Sequence, residues 1–132
     1  MLSDPAEPET NEVCLVDDDA SVLKSMQYLL ASEGFKVRAF NKAEDFLAHA
    51  STNHVPVVVT DIWMDGVTGL EVLARLCAIS PRTKVIVITA REDLAARATA
   101  MAIGPVAFFI KPFNDEQFLA AVRDALALAR TA

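Results

Sequence analysis

The sequence predicts an α/β domain, a parallel β-sheet with helices packed on both faces. Three observations carry this. Short apolar runs and amphipathic segments alternate five times with short connections, and a βα repeat of that kind requires parallel strands joined by crossover helices. Val57-Val58-Val59 is apolar at every position, as expected for a strand covered on both faces. The apolar runs also end on polar residues, Asp17, Asp61, Thr89 and Lys111. In an open α/β sheet the strand carboxyl ends share one edge, where the cleft lies.

The elements follow in order. Residues 1–11, rich in Pro and Glu and without periodicity, read as a flexible tail; the folded domain takes up 12–130. Val13–Val16 is the first strand, closed by Asp17-Asp18-Asp19. A helix over Ala20–Ser32 places Val22, Met26, Leu29 and Leu30 on one face, and Gly34 stands where a helix C-terminal glycine belongs. Lys36–Phe40 alternates, which suits an edge strand with one wet face. Asn41, with Glu44 three residues on, caps a second helix running to about Ala50. The central run from Val55 ends at Asp61, and a loop over Ile62–Thr68 leads to a third helix over Leu70–Ile79 with Leu70, Leu73 and Cys77 inward. Ser80-Pro81 breaks that helix. Lys84–Thr89 is another buried strand. The fourth helix, Asp93–Ile103, has the thinnest apolar face, Leu94, Ala98, Met101 and Ala102. Gly104-Pro105 ends it. Val106–Ile110 is the last strand, followed by Lys111-Pro112-Phe113. Asn114 then caps a fifth helix with Phe118, Val122, Ala125 and Leu126 inward.

Composition narrows the function. The 132 residues suit one domain with one core, and 53% hydrophobic residues are too many for a disordered chain. Charges or Pro interrupt every apolar stretch, which predicts no membrane span, and the N-terminus lacks a secretory layout. Cys14 and Cys77 read as buried free thiols, and a cytoplasmic location follows by default. A net charge of −6 argues against direct nucleic-acid contact by this domain. His49 and His54 read as surface residues without partners, and Trp63 as either a rim or a core residue.

Asp17, Asp18, Asp61, Thr89 and Lys111 bring three carboxylates, a hydroxyl and an ammonium to one cleft. Crowded carboxylates raise each other's pKa, and a divalent cation relieves the conflict; hard oxygen ligands suit Mg²⁺. One carboxylate can then act as nucleophile towards a phosphoryl group, with Thr and Lys as partners for the phosphoryl oxygens. Each residue also has a structural explanation alone. An Asp run after a strand serves as a helix cap, which suffices for Asp19. The conjunction at four strand ends points to chemistry.

Leu15-Val16-Asp17-Asp18, Val57-Val58-Val59-Thr60-Asp61, Met64 to Gly69, Val87-Ile88-Thr89-Ala90 and Lys111-Pro112-Phe113 together resemble the response-regulator receiver domain of two-component signalling. The resemblance spans Val13 to Leu128. The segments Asp17 to Phe40 and Phe108 to Phe113 look most like the nitrogen-fixation type of transcriptional regulator. It implies a flavodoxin-like (βα)5 three-layer sandwich with strand order 2-1-3-4-5. It also implies a signalling phospho-acceptor rather than an enzyme. Asp61 would accept phosphate from a sensor histidine kinase. Asp18, Asp61 and the Trp63 backbone carbonyl would hold Mg²⁺, with Asp17 assisting through water. Thr89 and Lys111 would bind phosphoryl oxygens, Phe108 would be the switch aromatic, and the Lys111–Pro112 bond would be cis. A phosphorylation-linked homodimer through the fourth helix, fifth strand and fifth helix is the implied assembly. Two positions depart from the family pattern: Asp65 replaces the usual Pro of the loop after the acceptor, and Pro105 follows Gly104 where a small residue is usual.

Two other readings compete. Asp17-Asp18-Asp19-Ala20-Ser21 also resembles the D-x-D signature of haloacid-dehalogenase-type phosphohydrolases, in which Asp17 would be nucleophile and Asp19 general acid; Asp61 then has no role. A degenerate receiver would bind partners without phosphorylation. An end soon after the fifth helix fits a stand-alone receiver and the N-terminal half of a transcription factor equally.

Overall fold

Five strands and five helices alternate: β1 (Glu12–Val16), α1 (Ala20–Ser32), β2 (Lys36–Phe40), α2 (Ala43–Thr52), β3 (Val57–Asp61), α3 (Gly69–Ile79), β4 (Lys84–Thr89), α4 (Leu94–Ile103), β5 (Ala107–Ile110) and α5 (Asp115–Thr131). The structure is a computed structural model, and it describes residues 11–64 and 68–131. Met1 to Thr10 of the expected tail, and Asp65 and Gly66 of the loop after β3, lie outside the described residues.

All neighbouring strands pair in parallel, in the order β2-β1-β3-β4-β5, the order of a flavodoxin-like sandwich. Successive side chains of a strand point to opposite faces, so each buried strand feeds two cores. Val13, Leu15, Val57, Val59, Ile86 and Ile88 pack on one face with α1 and α5. Cys14, Val16, Val58, Val85 and Val87 pack on the other with α2, α3 and Ala100 of α4. β3 is buried at all five positions, whereas the edge strand β2 has no fully buried residue. The unbroken valine run and the alternating Lys36–Phe40 pattern have these causes.

Several faces and caps differ from expectation. In α1 the fully buried residues are Leu23, Met26 and Leu30, with Val22 and Leu29 half-buried at the margin of the stripe. Asn41 does not cap α2; Lys42 holds that position with no side-chain cap bond, and Glu44 and Asp45 in the first turn offset the helix dipole instead. In α3 the inward face is Gly69, Val72, Leu73 and Leu76. The close approach of Gly69 to β3 sets that rotation. Leu70 is only half-buried, and Cys77 is exposed, so it is not a buried thiol. α4 turns Ala96 and Ala100 inward, while Leu94, Ala98, Met101 and Ala102 face out. Apolar residues surround that helix, so hydrophobicity does not mark its inner side. β5 starts at Ala107 rather than Val106, because Gly104 in the left-handed region and Pro105 still belong to the turn. α5 buries Phe118, Val122, Ala125 and Leu126 as expected, together with Leu119.

Candidate functional site

The carboxyl ends of β1, β3 and β5 converge on one ammonium. Lys111 Nζ lies 3.5 Å from Asp17 Oδ2 and 3.5 Å from Asp61 Oδ2. The parallel register puts Val16 opposite Thr60, so Asp17 and Asp61 follow as neighbours across the β1–β3 pair. Asp17 is 2% exposed and Asp61 7%. Two anions this deep need compensation, and the lysine supplies it from the third strand. Its own place is fixed by backbone, the Lys111 amide donating to the Thr89 carbonyl at 2.7 Å. The Lys111–Pro112 bond is cis.

Each carboxylate is held further. Asp61 Oδ1 accepts from the Trp63 amide at 3.1 Å. Asp17 Oδ1 accepts from the Asp19 amide at 2.9 Å, while Asp17 Oδ2 is buried without a hydrogen-bond partner. Burial pushes the Asp17 carboxyl above the usual carboxylate range; the Asp19 amide opposes this, the Asp61 charge adds to it, and Lys111 pulls it back. Asp19 caps α1, accepting from the Ser21 and Val22 amides, and those bonds, Val22 first, lower its pKa. Asp18 is exposed.

Thr89 is buried at the end of β4, and its hydroxyl is turned to the next turn of chain. It donates to the Arg91 carbonyl at 3.0 Å and accepts from the Arg91 amide at 3.2 Å. Trp63 is half-buried, packs on the α2–α3 core and lies under the Arg91 guanidinium, 4.5 Å from the ring centre; rim and core roles meet in this one residue. Phe108 is half-buried on β5, against the same core, with the Arg97 guanidinium 5.1 Å from its ring.

The expected residues thus assemble as Asp17, Asp61 and Lys111 in direct contact, with Thr89 joined through the backbone. The three carboxylates do not form a tight oxygen cluster. Among the described residues, the one trio of His, Cys, Asp or Glu with ligand atoms within 4.8 Å of one another lies elsewhere. The donor set nevertheless suits a hard cation: acidic oxygens at one point, one of them buried, without a hydrogen bond and offset only by the Lys111 ammonium at 3.5 Å.

Gly69, which closes the Met64-to-Gly69 motif of the sequence, has a positioning role that the motif alone does not reveal. A Cβ there would run into the Asp61 carbonyl and the Ile62 backbone, and its amide donates to the Ile62 carbonyl at 2.9 Å. The start of α3 therefore presses directly on the chain that carries Asp61. Thr68 and Glu71 form a full capping box around it. The pattern Thr-Gly-Leu-Glu was legible as a cap, and a glycine at the first helical position, where it costs helix stability, was the accompanying signal.

Comparison with known proteins places these features. Residues 13–123 match the family described as the response regulator receiver domain. The chain is 38% identical over 119 residues to the transcriptional regulatory protein FixJ of Azorhizobium caulinodans, covering 90% of this chain and 56% of that protein. It spans about half the length of the curated relatives it matches. The crystal structure of FixJ-N superposes with a TM-score of 0.82 at 36% identity, over 88% of this chain and 93% of that one. The solution structure of the beryllofluoride-activated NtrC4 receiver domain dimer gives 0.84 at 28% identity, over 91% and 99%.

Proposed function

This chain belongs to the response regulator receiver domain family, and from that premise we propose that Asp61 is its phospho-acceptor, served by a sensor histidine kinase. The observation that carries this is the Asp17–Lys111–Asp61 contact at 3.5 Å, built from three strand ends. A carboxylate oxygen of Asp61 attacks the phosphorus of a phosphohistidine. The new O–P bond forms as the P–N bond breaks; the imidazole leaves with the electron pair and takes a proton from solvent. Oδ1 is held by the Trp63 amide, so Oδ2, facing Lys111, receives the phosphoryl group.

Asp17, Asp18, Asp61 and the Trp63 backbone carbonyl would hold Mg²⁺, which when bound offsets the charge of the acceptor and the incoming phosphoryl group. Lys111 is already beside the acceptor and passes from carboxylate to phosphoryl oxygen without crossing the site. Thr89 must first release the Arg91 carbonyl. A phosphoryl oxygen is the stronger acceptor, so the hydroxyl turns to it, β4 shifts, and Phe108 moves inward from beneath Arg97. The α4–β5–α5 surface then exchanges between two populations. Leu94, 77% exposed on α4, gives that surface an apolar contact for a homodimer, the assembly named for the NtrC4 receiver.

Residues 12–130 act as the receiver unit. It passes its state to a transcriptional output in the cytoplasm and does not itself touch nucleic acid; no helix among the described residues is long and apolar enough to cross a membrane. Incubation with acetyl phosphate and Mg²⁺, read by intact mass, tests the proposal. One labile phosphoryl group is expected, and Asp61→Asn abolishes it. No gain would mean a phosphorylation-independent binding module, and turnover of phosphate esters dependent on Asp17 would favour the phosphohydrolase.

A further inference from the structure

A second cluster of ligand-type side chains lies outside this cleft, between β1 and α2. Glu12 and Cys14 stand two residues apart on β1 and so share one sheet face. His49 of α2 meets them there. One ligand atom from each of Glu12, Cys14 and His49 lies within 4.8 Å of the other two, a grouping found once among the described residues. His49 is therefore not a lone surface residue. Its Nε2 is buried and has no hydrogen-bond partner, and its ring is packed beside Phe40 with centres 5.4 Å apart.

We propose that Glu12, Cys14 and His49 form a binding site for one zinc ion, independent of the acidic cleft. A thiolate, an imidazole nitrogen and a carboxylate oxygen are the ligand types that Zn²⁺ accepts, and three protein ligands leave a fourth position for water. Asn53 Nδ2 lies 3.3 Å from His49 Nδ1 and donates to the His49 carbonyl at 3.0 Å; metal binding at Nε2 moves the ring proton to Nδ1, where the exposed Asn53 side chain gives way to water. Arg38 pairs with Glu12 Oε2 at 3.3 Å. That contact holds the Glu12 carboxylate on the β1 face that also carries Cys14. Cys14 is buried, and without metal its thiol is pushed up to about 12, first by burial and then by Glu12. That shift opposes the thiolate, so zinc must displace the proton and its affinity rises with pH. Because the ligands come from β1 and α2, only the folded chain presents them together, and zinc stabilises it by linkage.

The test uses a Cys77→Ser background, in which Cys14 is the sole thiol. Cobalt(II) is titrated first, read by the thiolate-to-cobalt charge-transfer band, and zinc is then added to displace it. One equivalent with a thiolate band is expected, retained in Asp61→Asn. Cys14→Ala should lose the band. His49→Gln, on a half-buried helix position and with its fold checked by circular dichroism, should weaken binding by about 10- to 100-fold or more. With the acidic cleft occupied by excess Mg²⁺, zinc should raise the unfolding temperature of the parent more than that of His49→Gln. Absence of the band with Cys14 intact, unchanged affinity in His49→Gln, or binding lost with Asp61→Asn would each overturn the proposal.

Discussion

Replacing Lys111 with Met removes the charge that lets two buried carboxylates coexist while keeping most of the length of the side chain. At 3.5 Å and an effective dielectric constant of about 20, the ammonium attracts each carboxylate by roughly 5 kcal/mol before its own desolvation and ordering are subtracted. Removing one partner of a buried ion pair costs about 3–5 kcal/mol net. The Lys111 side chain keeps 20% of its exposure, so the lower end applies, about 3 kcal/mol. The loss depends on pH with a definite sign. The folded-state pKa of Asp17 is raised, so its contribution to stability is full below the unfolded value of about 4 and is lost as pH rises through the folded value. Without the ammonium that folded value rises further, and a proton can neutralise Asp17 in mildly acidic solution. The deficit of Lys111→Met should be larger at neutral than at mildly acidic pH. Urea unfolding at the two pH values, with unchanged slope, measures it. Equal midpoints for parent and variant at neutral pH, or a deficit that grows on acidification, would refute this electrostatic reasoning.

Other consequences follow from single contacts. Gly69→Ala should cost about 1–3 kcal/mol, because its methyl meets backbone that cannot step aside; urea midpoints measure the loss, and phosphoryl uptake by Asp61 should fall with it. α4 buries only Ala96 and Ala100, so its amides should exchange faster than those of α1 and α3. Asp93→Ala, which removes the cap bond to the Ala96 amide at 3.0 Å, should lower stability by about 1 kcal/mol and speed exchange chiefly in α4. A thiol reagent should label Cys77 rapidly in the native protein and Cys14 only on unfolding, since the first is exposed and the second buried with a raised pKa.

The sheet was legible because its determinants are local. Runs such as Val57-Val58-Val59 and Val85-Ile86-Val87-Ile88 have one structural use, and the residues that close them mark the edge where Asp17, Asp61, Thr89 and Lys111 stand. Helix rotation was less legible. α3 is turned by the contact of Gly69 with Asp61, a tertiary constraint invisible to periodicity, and that turn exposes Cys77. α4 is apolar on both sides, so its seating on two alanines could not be read from pattern. Within the site, residue types were legible and partners were not. That Lys111 bridges the two carboxylates and that the Thr89 hydroxyl rests on Arg91 depend on side-chain directions at three strand ends. His49 looked bland because its neighbours, Glu12 and Cys14, are more than thirty positions away in the chain.

Which carboxylate carries the phosphoryl group is the direct question. After reaction with acetyl phosphate, borohydride reduces an aspartyl phosphate to homoserine, and peptide mass mapping locates the change. Homoserine at position 61 alone is the predicted result; homoserine at position 17, or none in a folded and magnesium-loaded sample, would contradict it.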